Sequence, residues 1–444
     1  MTEIFKLENP IKHYEWGSPD YIPRLLGAAP DGSPSTDGEP WAELWMGSHP
    51  GGPSLAQTPE GKIALGDLIA GDPRRYLGEE TACRYGALPF LFKLLAAGKP
   101  LSIQAHPDLA RAREGYEREN RAGLAPDAPN RNYRDPNHKL EIICALTPFT
   151  GLCGFREPDE IRNLLEIFIS QRRGGTESCA LLTRDSLSFV SSCLSERSSG
   201  NKLKNFLEAL FGLSQTERQA LTEYILVSAP PREEIGTDSS VEWELMREFA
   251  ELYPGDPAVI APLYLNVFRL EPGEAVFLRA GILHAYCRGF GVELMTNSDN
   301  VLRGGLTAKH IDIPELLKVA DFNPMTPEIL KPEPDLSCFT YLTPCGEFSL
   351  SVMRGGANAA AWPPTALAGP SIGIVTQGEL SIGELVLKQG ESAFFSPAAN
   401  GEGWQTPRGN FTLYIASVRC TASPGETAPC KQGAPFRNGD ENSH

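Results

Sequence analysis

The spacing of apolar residues changes twice along this chain of 444 residues, and the two changes divide it into three parts. Up to about residue 150, alternating apolar and polar residues and turn signals predict strands and turns with a few helices. Residues 155–255 instead repeat apolar positions every three or four residues, as amphipathic helices do. Alternation then returns. The sequence therefore predicts a mainly β protein with an α-helical insertion.

Three segments of the insertion have clear helical signals. The first spans 157–171 and has an apolar stripe at Ile161, Leu164, Leu165 and Phe168. The second opens with Ser214 and has Glu217 three residues later, which is the pattern of a capping box. The third spans 240–257 and meets Pro-Gly near its end, where a helix is expected to stop.

A twelve-residue pattern occurs twice, as LEPGEAVFLRAG at 270–281 and LKQGESAFFSPA at 387–398. We interpret it as one hairpin used twice, with Gly273 and Gly390 at equivalent turns. The repeat predicts two related β-barrels. The first copy runs on to His284, whereas the second continues without a histidine, aspartate or cysteine nearby, so only the first barrel is expected to carry out chemistry.

The charge of the chain limits its partners. The formal net charge is −16, and no segment is rich in lysine or arginine, so nucleic acid is not expected to bind. The same charge repels small anions, and a phosphorylated substrate would need a local basic cluster. No apolar run approaches the ~20 residues that span a bilayer. The first residues also lack a signal-peptide pattern, so we expect no membrane association and a cytoplasmic location.

Ten cysteines are scattered along the chain without a CxxC pair. This spacing predicts neither a zinc knuckle nor a disulfide scaffold. Cys144 and Cys287 lie in apolar runs and are expected to be small buried hydrophobes. We therefore expect reduced thiols.

Polar residues at intervals of two mark three strand-like segments, 101–108, 138–143 and 281–289. The residues on the polar faces are Ser102, Gln104, His106, Lys139, Glu141, His284 and Tyr286. Successive side chains of a strand point to opposite faces, so a barrel wall would turn these groups to its interior.

Two imidazoles, a carboxylate and an amide oxygen suit a borderline divalent ion, most naturally Zn²⁺. The predicted ligands are Gln104, His106, Glu141 and His284. Because cysteine is absent from this set, a catalytic ion is favoured over a purely structural one, and it would retain Lewis acidity. The alternatives are ordinary hydrogen-bonded histidines, and a solvated surface pair of Glu141 with Lys139.

Arg303 lies between a polar turn and two glycines, in VELMTNSDNVLRGGLTAKH (292–310). Such an arginine can present its guanidinium fork into a cleft. With Lys139, Lys309 and His310 it would form the local positive cluster that a phosphate requires. The alternative is an exposed loop arginine.

These stretches together resemble the type I mannose-6-phosphate isomerases, zinc enzymes of the cupin class. The resemblance covers most of 9–322 and weakens in the helical insertion and after about 330. Four stretches carry it: EPWAELWMGSHPGGPS (39–54), PFLFKLLAAGKPLSIQAHPD (89–108), NYRDPNHKLEIICALTPFTGLCGF (132–155) and LRAGILHAYCRGFGVELMTNSDNVLRGGLTAKHIDIPELL (278–317).

The resemblance implies two cupin-like (jelly-roll) barrels, one zinc ion and an active-site role for Arg303. The four predicted metal ligands match the zinc ligands of the family. Six residues fall at positions that line the family's substrate pocket: Ser102, Lys139, Tyr286, Glu293, Asp299 and Lys309.

The implied reaction interconverts mannose 6-phosphate and fructose 6-phosphate through a cis-enediol, in GDP-mannose supply or mannose catabolism. It needs stabilisation of enediolate oxygens and a proton carrier near C1 and C2. Lys139, Glu293 and Asp299 are all candidates for that carrier, and the sequence does not choose among them. Two other functions stay open: a cupin-type metal dioxygenase and a non-catalytic sugar-binding module.

The expected partner is a small phosphorylated hexose, and the expected state is a monomer. The expected units are a catalytic metal-binding domain at 1–154 with 256–330, a helical insertion at 155–255, a second barrel without metal ligands at 331–420, and a flexible tail at 421–444.

Overall fold

The computed structural model of the chain describes residues 3–28, 39–170, 177–195, 198–228, 240–333, 336–356, 369–397 and 408–419. The expected tail at 421–444 lies outside the described residues. Helix and sheet occur in similar proportion, so the expectation of a mainly β chain is wrong in its balance. Helices in the first 125 residues, where only a few were expected, account for part of the difference.

The strands found in the described residues are, in chain order, β1 Ile4–Glu8, β2 Ile11–Lys12, β3 Glu43–Met46, β4 Leu55–Thr58, β5 Gly61–Ala64, β6 Phe90–Ala97, β7 Gln104–Ala105, β8 Glu141–Ala145, β9 Phe149–Phe155, β10 Leu265–Leu270, β11 Ala275–Leu278, β12 His284–Thr296, β13 Leu302–Arg303, β14 Ile329–Leu330, β15 Cys338–Tyr341, β16 Ser349–Gly355, β17 Ser371–Ile382, β18 Leu385–Lys388, β19 Ser392–Phe395 and β20 Phe411–Ser417.

The helices in the same parts of the chain are α1 Tyr21–Leu25, α2 Leu65–Gly71, α3 Pro73–Leu77, α4 Glu79–Tyr85, α5 Leu109–Arg121, α6 Pro158–Ser170, α7 Glu177–Ser192, α8 Lys202–Phe211, α9 Gln215–Ser228, α10 Ser240–Leu252, α11 Ala261–Tyr264 and α12 Ile313–Val319. Of the helices described, none has the length and apolar character to cross a bilayer. The eight cysteines in the described ranges are free thiols, as expected.

The described strands form two sheets. The first sheet has the order β14-β11-β8-β12-β6-β3-β2, with β7, β9, β10 and β13 joined to it. The second sheet has the order β15-β16-β20-β17-β19-β1-β4-β5, with β18 paired to β17. Strands β1, β4 and β5 therefore lie in the second sheet, although we expected residues 1–154 to belong with the first barrel. Local periodicity does not encode this pairing, since the partner strand β19 is distant in sequence.

Five strands of each sheet pair in the same order and register. Strands β3-β6-β12-β8-β11 correspond to β15-β16-β20-β17-β19. For example, Glu141 of β8 pairs with residues of β11 and β12. Its counterpart Ser371 of β17 pairs at the same register with β19 and β20. We call such positions equivalent.

The repeated sequence pattern forms the same turn in both sheets, as predicted. Gly273 and Gly390 both have left-handed backbone, with φ of +92° and +84°, which favours glycine. In each turn the next residue, Glu274 or Glu391, accepts a hydrogen bond from the backbone N–H three residues earlier, at 3.0 Å and 2.8 Å.

The equivalent faces of the two sheets pack against each other and form a shared apolar core. Buried residues of the first sheet in this core include Leu44, Phe92, Leu94, Ile142, Cys144, Val292 and Leu294. Those of the second include Tyr341, Leu350, Val352, Ile372, Ile374, Tyr414 and Ala416. The opposite face of the first sheet is left to line the candidate site.

The helical insertion is confirmed over α6–α10. It packs against the segment that carries His284, on the side away from the candidate site. Ser214 and Glu217 form the predicted capping box: the Ser214 N–H donates to the Glu217 carboxylate at 2.7 Å, and the Glu217 N–H donates to the Ser214 hydroxyl at 3.3 Å. The core of the insertion includes Leu283, just before β12, and Ala285 and Cys287, on the face of β12 opposite His284. Packing on that side holds His284 toward the first sheet's interior.

Candidate metal centre and active site

Three of the predicted ligands converge. One possible ligand atom each of His106, Glu141 and His284 lies within 4.8 Å of the other two. The Nε2 atoms of His106 and His284 lie 3.3 Å from the two different carboxylate oxygens of Glu141. Both Nε2 atoms are buried and make no hydrogen bond within the described structure. Two buried imidazole nitrogens without a hydrogen bond, facing one carboxylate, fit a divalent cation.

Backbone carbonyls orient both imidazoles. Nδ1 of His106 lies 2.8 Å from the carbonyl oxygen of Asn300, and Nδ1 of His284 lies 2.9 Å from that of Ile282. A carbonyl accepts only, so each Nδ1 carries the proton and each Nε2 keeps its lone pair. Burial, with Lys139 nearby, lowers the pKa of His106 to about 4. The ring is therefore neutral near pH 7, as a metal ligand must be.

Glu141 is buried, which rules out a solvated surface pair with Lys139. The Nζ atom of Lys139 lies 2.7 Å from Oε1 of Glu141, and Lys139 is itself mostly buried. Burial alone would raise the pKa of Glu141, but Lys139 and the two histidines hold it below its usual range. The site therefore keeps a charged carboxylate.

Gln104 lies in β7 directly opposite both His284 and Arg303. Cross-strand neighbours in register share a face, so Gln104 lies beside the imidazole of His284. Its role as a metal ligand stays a prediction.

The expected strand over 101–108 is wrong in extent, since only Gln104–Ala105 is a strand. Leu101 packs in the cluster of Tyr286, whereas Ile103 packs with the helical insertion. Tertiary contacts bend the segment here, and strict alternation does not extend to Leu101.

A buried ion chain that the sequence analysis did not single out adjoins the centre. Nζ of Lys93 lies 3.4 Å from a carboxylate oxygen of Glu43 and 3.1 Å from one of Glu293. Burial would lower the pKa of Lys93, but the carboxylates raise it above the ordinary value, so it stays an ammonium. Burial raises the pKa of Glu293 despite Lys93. The sequence feature that could have indicated this ion chain is Lys93, a single lysine within the apolar run PFLFKLLAA.

Three basic side chains, Arg134, Arg303 and Lys309, lie close together beside the metal centre. Burial and Arg134 lower the pKa of Arg303. Partial burial, Arg303 and Arg134 lower that of Lys309. Within the described ranges, none of these three side chains has a carboxylate at ion-pair distance. Arg303 and Lys309 of the predicted cluster lie near each other and near Arg134, which the sequence analysis missed. Lys139 is instead held by Glu141, and His310 is exposed.

The remaining predicted residues lie around this centre. Asp299 is half exposed, and its Oδ2 lies 3.3 Å from Nε2 of His49. Partial burial would raise the pKa of Asp299, but His49 and the nearby lysines lower it. The hydroxyl of Tyr286 is buried and makes no hydrogen bond in the described structure. Ser102 is partly buried, two residues before Gln104.

Known proteins match this chain over most of its length. Residues 4–158 match the family described as phosphomannose isomerase type I, catalytic domain. A mannose-6-phosphate isomerase of Escherichia coli (strain K12) is 37% identical over 400 residues, which cover 88% of this chain and 94% of that protein. The chain belongs to the type I phosphomannose isomerase family. The human mannose-6-phosphate isomerase is 32% identical over 397 residues, covering 84% of this chain and 88% of its own.

The fold of this family is also seen in solved structures. A zinc-bound crystal structure of mannose 6-phosphate isomerase superposes with a TM-score of 0.79 at 33% identity, covering 94% of this chain and 100% of that one. Another, bound with zinc and yttrium, has a TM-score of 0.78 at 32% identity and the same coverage.

Proposed function

We propose that this chain is a zinc-dependent isomerase that interconverts mannose 6-phosphate and fructose 6-phosphate. One observation carries the proposal: two buried histidine nitrogens face both oxygens of Glu141, beside three cations, and among the described residues these nitrogens have no hydrogen bond and these cations no carboxylate at ion-pair distance. The first group suits a divalent metal and the second a phosphate. Relatives named mannose-6-phosphate isomerase support the same conclusion.

The proposed ligands of a single zinc ion are Gln104, His106, Glu141 and His284. A bound zinc ion supplies Lewis acidity toward the substrate's carbonyl and hydroxyl oxygens. The lowered pKa values of His106 and Glu141 keep the imidazole neutral and the carboxylate charged, which are the forms that bind zinc. Lys139 balances the buried carboxylate.

The three cations divide into two roles in this proposal. Arg303 lies opposite Gln104 across the β7–β13 pair, which supports the proposal that it contacts the reacting oxygens or assists ring opening. Arg134 and Lys309 are near Arg303 and would bind the phosphate. Ser102 and Tyr286 supply hydroxyl groups for the sugar.

The reaction moves a proton from C2 to C1 through a cis-enediol, and the candidate carriers are Lys139, Glu293 and Asp299. Each is held in place by a different partner. Lys139 contacts Glu141, Glu293 contacts Lys93, and Asp299 contacts His49. Replacement of the true carrier should abolish both turnover and solvent-deuterium exchange at the transferred position, while zinc content is retained.

The decisive experiment is an isomerase assay on mannose 6-phosphate with and without a chelator. Activity should disappear with the metal and return with Zn²⁺. Arg303→Ala should lose most turnover but keep its zinc, whereas Arg113→Ala, on an exposed position of α5, should match the wild type. Full activity in protein shown by metal analysis to hold no metal would overturn the proposal.

The same proposal includes the architecture and state of the enzyme. Both sheets would be cupin-type jelly-roll barrels, with catalytic residues in 1–154 and 256–330, a helical domain at 155–255 and a metal-free barrel at 331–420 joined by β1, β4 and β5. We propose a cytoplasmic monomer. Light scattering should give a mass near 48.3 kDa.

A further inference from the structure

The chain turns sharply between Arg303 and Lys309, and one residue of this 304–309 turn is strained. Leu306 has a φ of +54°, and in the described parts of the chain it is the one residue other than glycine with left-handed backbone. This conformation costs free energy in an L-amino acid, because the Cβ comes too close to the following carbonyl oxygen. Such strain persists only where the surroundings fix the backbone, and it is concentrated at functional sites.

Asp256, at the end of the helical insertion, holds the strained turn. One oxygen of its carboxylate, Oδ2, accepts a hydrogen bond from the Leu306 N–H at 2.7 Å. The other, Oδ1, accepts one from the Ala258 N–H at 2.9 Å and so caps the short 3-10 helix Pro257–Ile260. The two segments also pack closely, since a Cβ at Gly305 would lie 2.2 Å from that of Ala258. One carboxylate therefore joins the end of the insertion to the 304–309 turn.

The partners of the Asp256 carboxylate are mainly backbone groups. Burial raises the pKa of Asp256, whereas the N–H groups of Ala258 and Leu306, the charge of Arg218 and the N–H of Thr307 lower it. Among the described residues, no cation lies at ion-pair distance from this carboxylate. A carboxylate that is partly removed from water without a paired cation is costly unless hydrogen bonds compensate. What Asp256 contributes is therefore the position of the backbone that it binds.

Arg303 and Lys309 depend on this turn to different degrees. Arg303 precedes it and is held independently, because β13 pairs with β7. Next to Arg303, the Gly304 N–H donates to the carbonyl of Ile103 at 2.7 Å. Lys309 follows the strained residue and is exposed, and its N–H donates to the hydroxyl of Thr307 at 3.1 Å. The position of Lys309 therefore depends on the turn, whereas that of Arg303 does not.

We propose that Asp256 is a positioning residue for the phosphate of the substrate. It holds the 304–309 turn, and through the turn it keeps Lys309 beside Arg134, the two cations that would bind the phosphate. Charge-assisted hydrogen bonds depend on geometry, so a lysine that is free to move binds phosphate more weakly. This role rests on the proposed isomerase function. Asp256 should affect substrate binding more than the chemical step.

A second Gly-Asp-Pro sequence, at 71–73, provides a matched control for the one at 255–257. Asp72 also caps a helix, α3, by accepting a hydrogen bond from the Arg75 N–H at 3.2 Å. Asp72 is exposed and lies outside the candidate site. The same substitution at both positions therefore perturbs a similar cap, but only at Asp256 does it also release Leu306.

Steady-state kinetics with mannose 6-phosphate, and with inorganic phosphate as a competitor, test this role. Asp256→Ser leaves one accepting oxygen, which can keep the cap, so the contact with Leu306 is lost. The KM for mannose 6-phosphate and the inhibition constant of phosphate should both rise about fivefold, as for one lost hydrogen bond. The kcat should stay within about twofold of the wild type, because only binding is weakened. Zinc content should not change, and Asp72→Ser should alter none of these values.

Lys309→Ala provides a second measurement. If Asp256 acts through Lys309, Asp256→Ser combined with Lys309→Ala should bind phosphate no more weakly than Lys309→Ala alone. A merely structural role would instead add its own loss. If Asp256→Ser does not fold, Asp256→Asn replaces it in both measurements, because it also has one accepting oxygen and is nearly isosteric.

Four results would overturn the role of Asp256: additive losses in the double variant, an unchanged inhibition constant of phosphate, a fall in kcat or zinc content larger than the rise in KM, or an equal effect of Asp72→Ser. Wild-type protein without isomerase activity would overturn the proposed function and this role together. An active wild type with one of the four results would overturn this role alone.

Discussion

The two sheets share a strand order and a register, yet they differ on the face that each turns away from the shared core. We call this the inner face; it carries charged residues in the first sheet and uncharged ones at the equivalent positions of the second. The first sheet places Glu43, Lys93, Glu141 and Glu293 on that face. The equivalent positions of the second sheet are Cys338, Ser351, Ser371 and Ile415. The opposite faces are apolar in both sheets and pack together. The shared pattern therefore fixes the core, whereas a few inner-face residues make one sheet a candidate active site.

Two pairs of hydroxyl groups on the inner face of the second sheet are hydrogen-bonded without any charged partner. The hydroxyls of Thr340 and Ser351 lie 2.8 Å apart, and those of Ser371 and Ser417 lie 3.0 Å apart. Such short neutral pairs need neither a metal nor a buried counter-ion. A buried ion chain in the first sheet is costly, so its presence there indicates function rather than stability.

The largest expected contrast is at the equivalent positions Glu141 and Ser371. Glu141→Gln removes the charged oxygen between two imidazoles, and both zinc content and turnover should fall to below about one-hundredth, since even indirect ligand partners are worth 10–100-fold. Ser371→Ala should keep full activity and lose about 1–2 kcal/mol of unfolding free energy, for the hydrogen bonds of its hydroxyl to Ser417 and to the carbonyl of Gly369. Metal analysis and the isomerase assay measure both. Equal losses of activity in the two variants would contradict the contrast.

The next contrast is between Lys93 and Ser351. Lys93→Met leaves Glu43 and Glu293 buried without their cation, which should cost about 3–5 kcal/mol of unfolding free energy. Ser351→Ala loses only the contact with Thr340, worth about 1 kcal/mol. Urea denaturation of the zinc-loaded variants compares them. Similar midpoints for both variants would show that the ion chain is not buried as described.

The two equivalent turns provide a smaller contrast. Gly273→Ala and Gly390→Ala both force alanine into left-handed backbone, at about 1–2 kcal/mol each. A Cβ at Gly390 would also lie 2.8 Å from the carbonyl oxygen of Leu25, whereas at Gly273 the nearest atom is 3.4 Å away, on Pro332. Gly390→Ala should therefore have the lower Tm in thermal unfolding. The reverse order would mean that the turns are not packed alike.

The smallest expected effect concerns a link between the sheets. Nε2 of His138 lies 3.1 Å from Oε1 of Glu347, and this hydrogen bond lowers the pKa of Glu347 to about 2. A lowered pKa adds stability above the unfolded value of 4.5, and that stability is lost as the pH falls toward 2. Between pH 5 and 2.5, the Tm of Glu347→Gln should fall less than that of the wild type.

The exposed Glu60→Gln serves as the control for that experiment, because it changes one carboxylate without this contact. It should follow the wild-type curve. If the Glu347→Gln and wild-type curves run parallel, the contact does not stabilise the folded chain.

The sequence predicted the parts of the site that depend on local alternation. His284 and Glu141 each have polar neighbours two residues away, and the structure places His106, Glu141 and His284 together. The turn at Gly273 was likewise predictable, because its Gly-Glu pattern recurs.

Other features depend on partners far along the chain. Lys93 acquires its role only because β6 lies beside β12, which brings Glu293 directly opposite it. Arg134 joins Arg303 and Lys309 through tertiary structure alone. The entry of β1 into the second sheet has the same cause, since no local pattern specifies a partner.

That placement of β1 affects how the molecule is made. The backbone N–H of Glu3 donates to the hydroxyl of Ser396, 393 residues away. During synthesis on a ribosome, β1 and its neighbour β4 emerge long before the other neighbour, β19, exists, whereas every strand of the first sheet has been translated by residue 330. The first sheet can thus assemble while β1 is still without its partner β19.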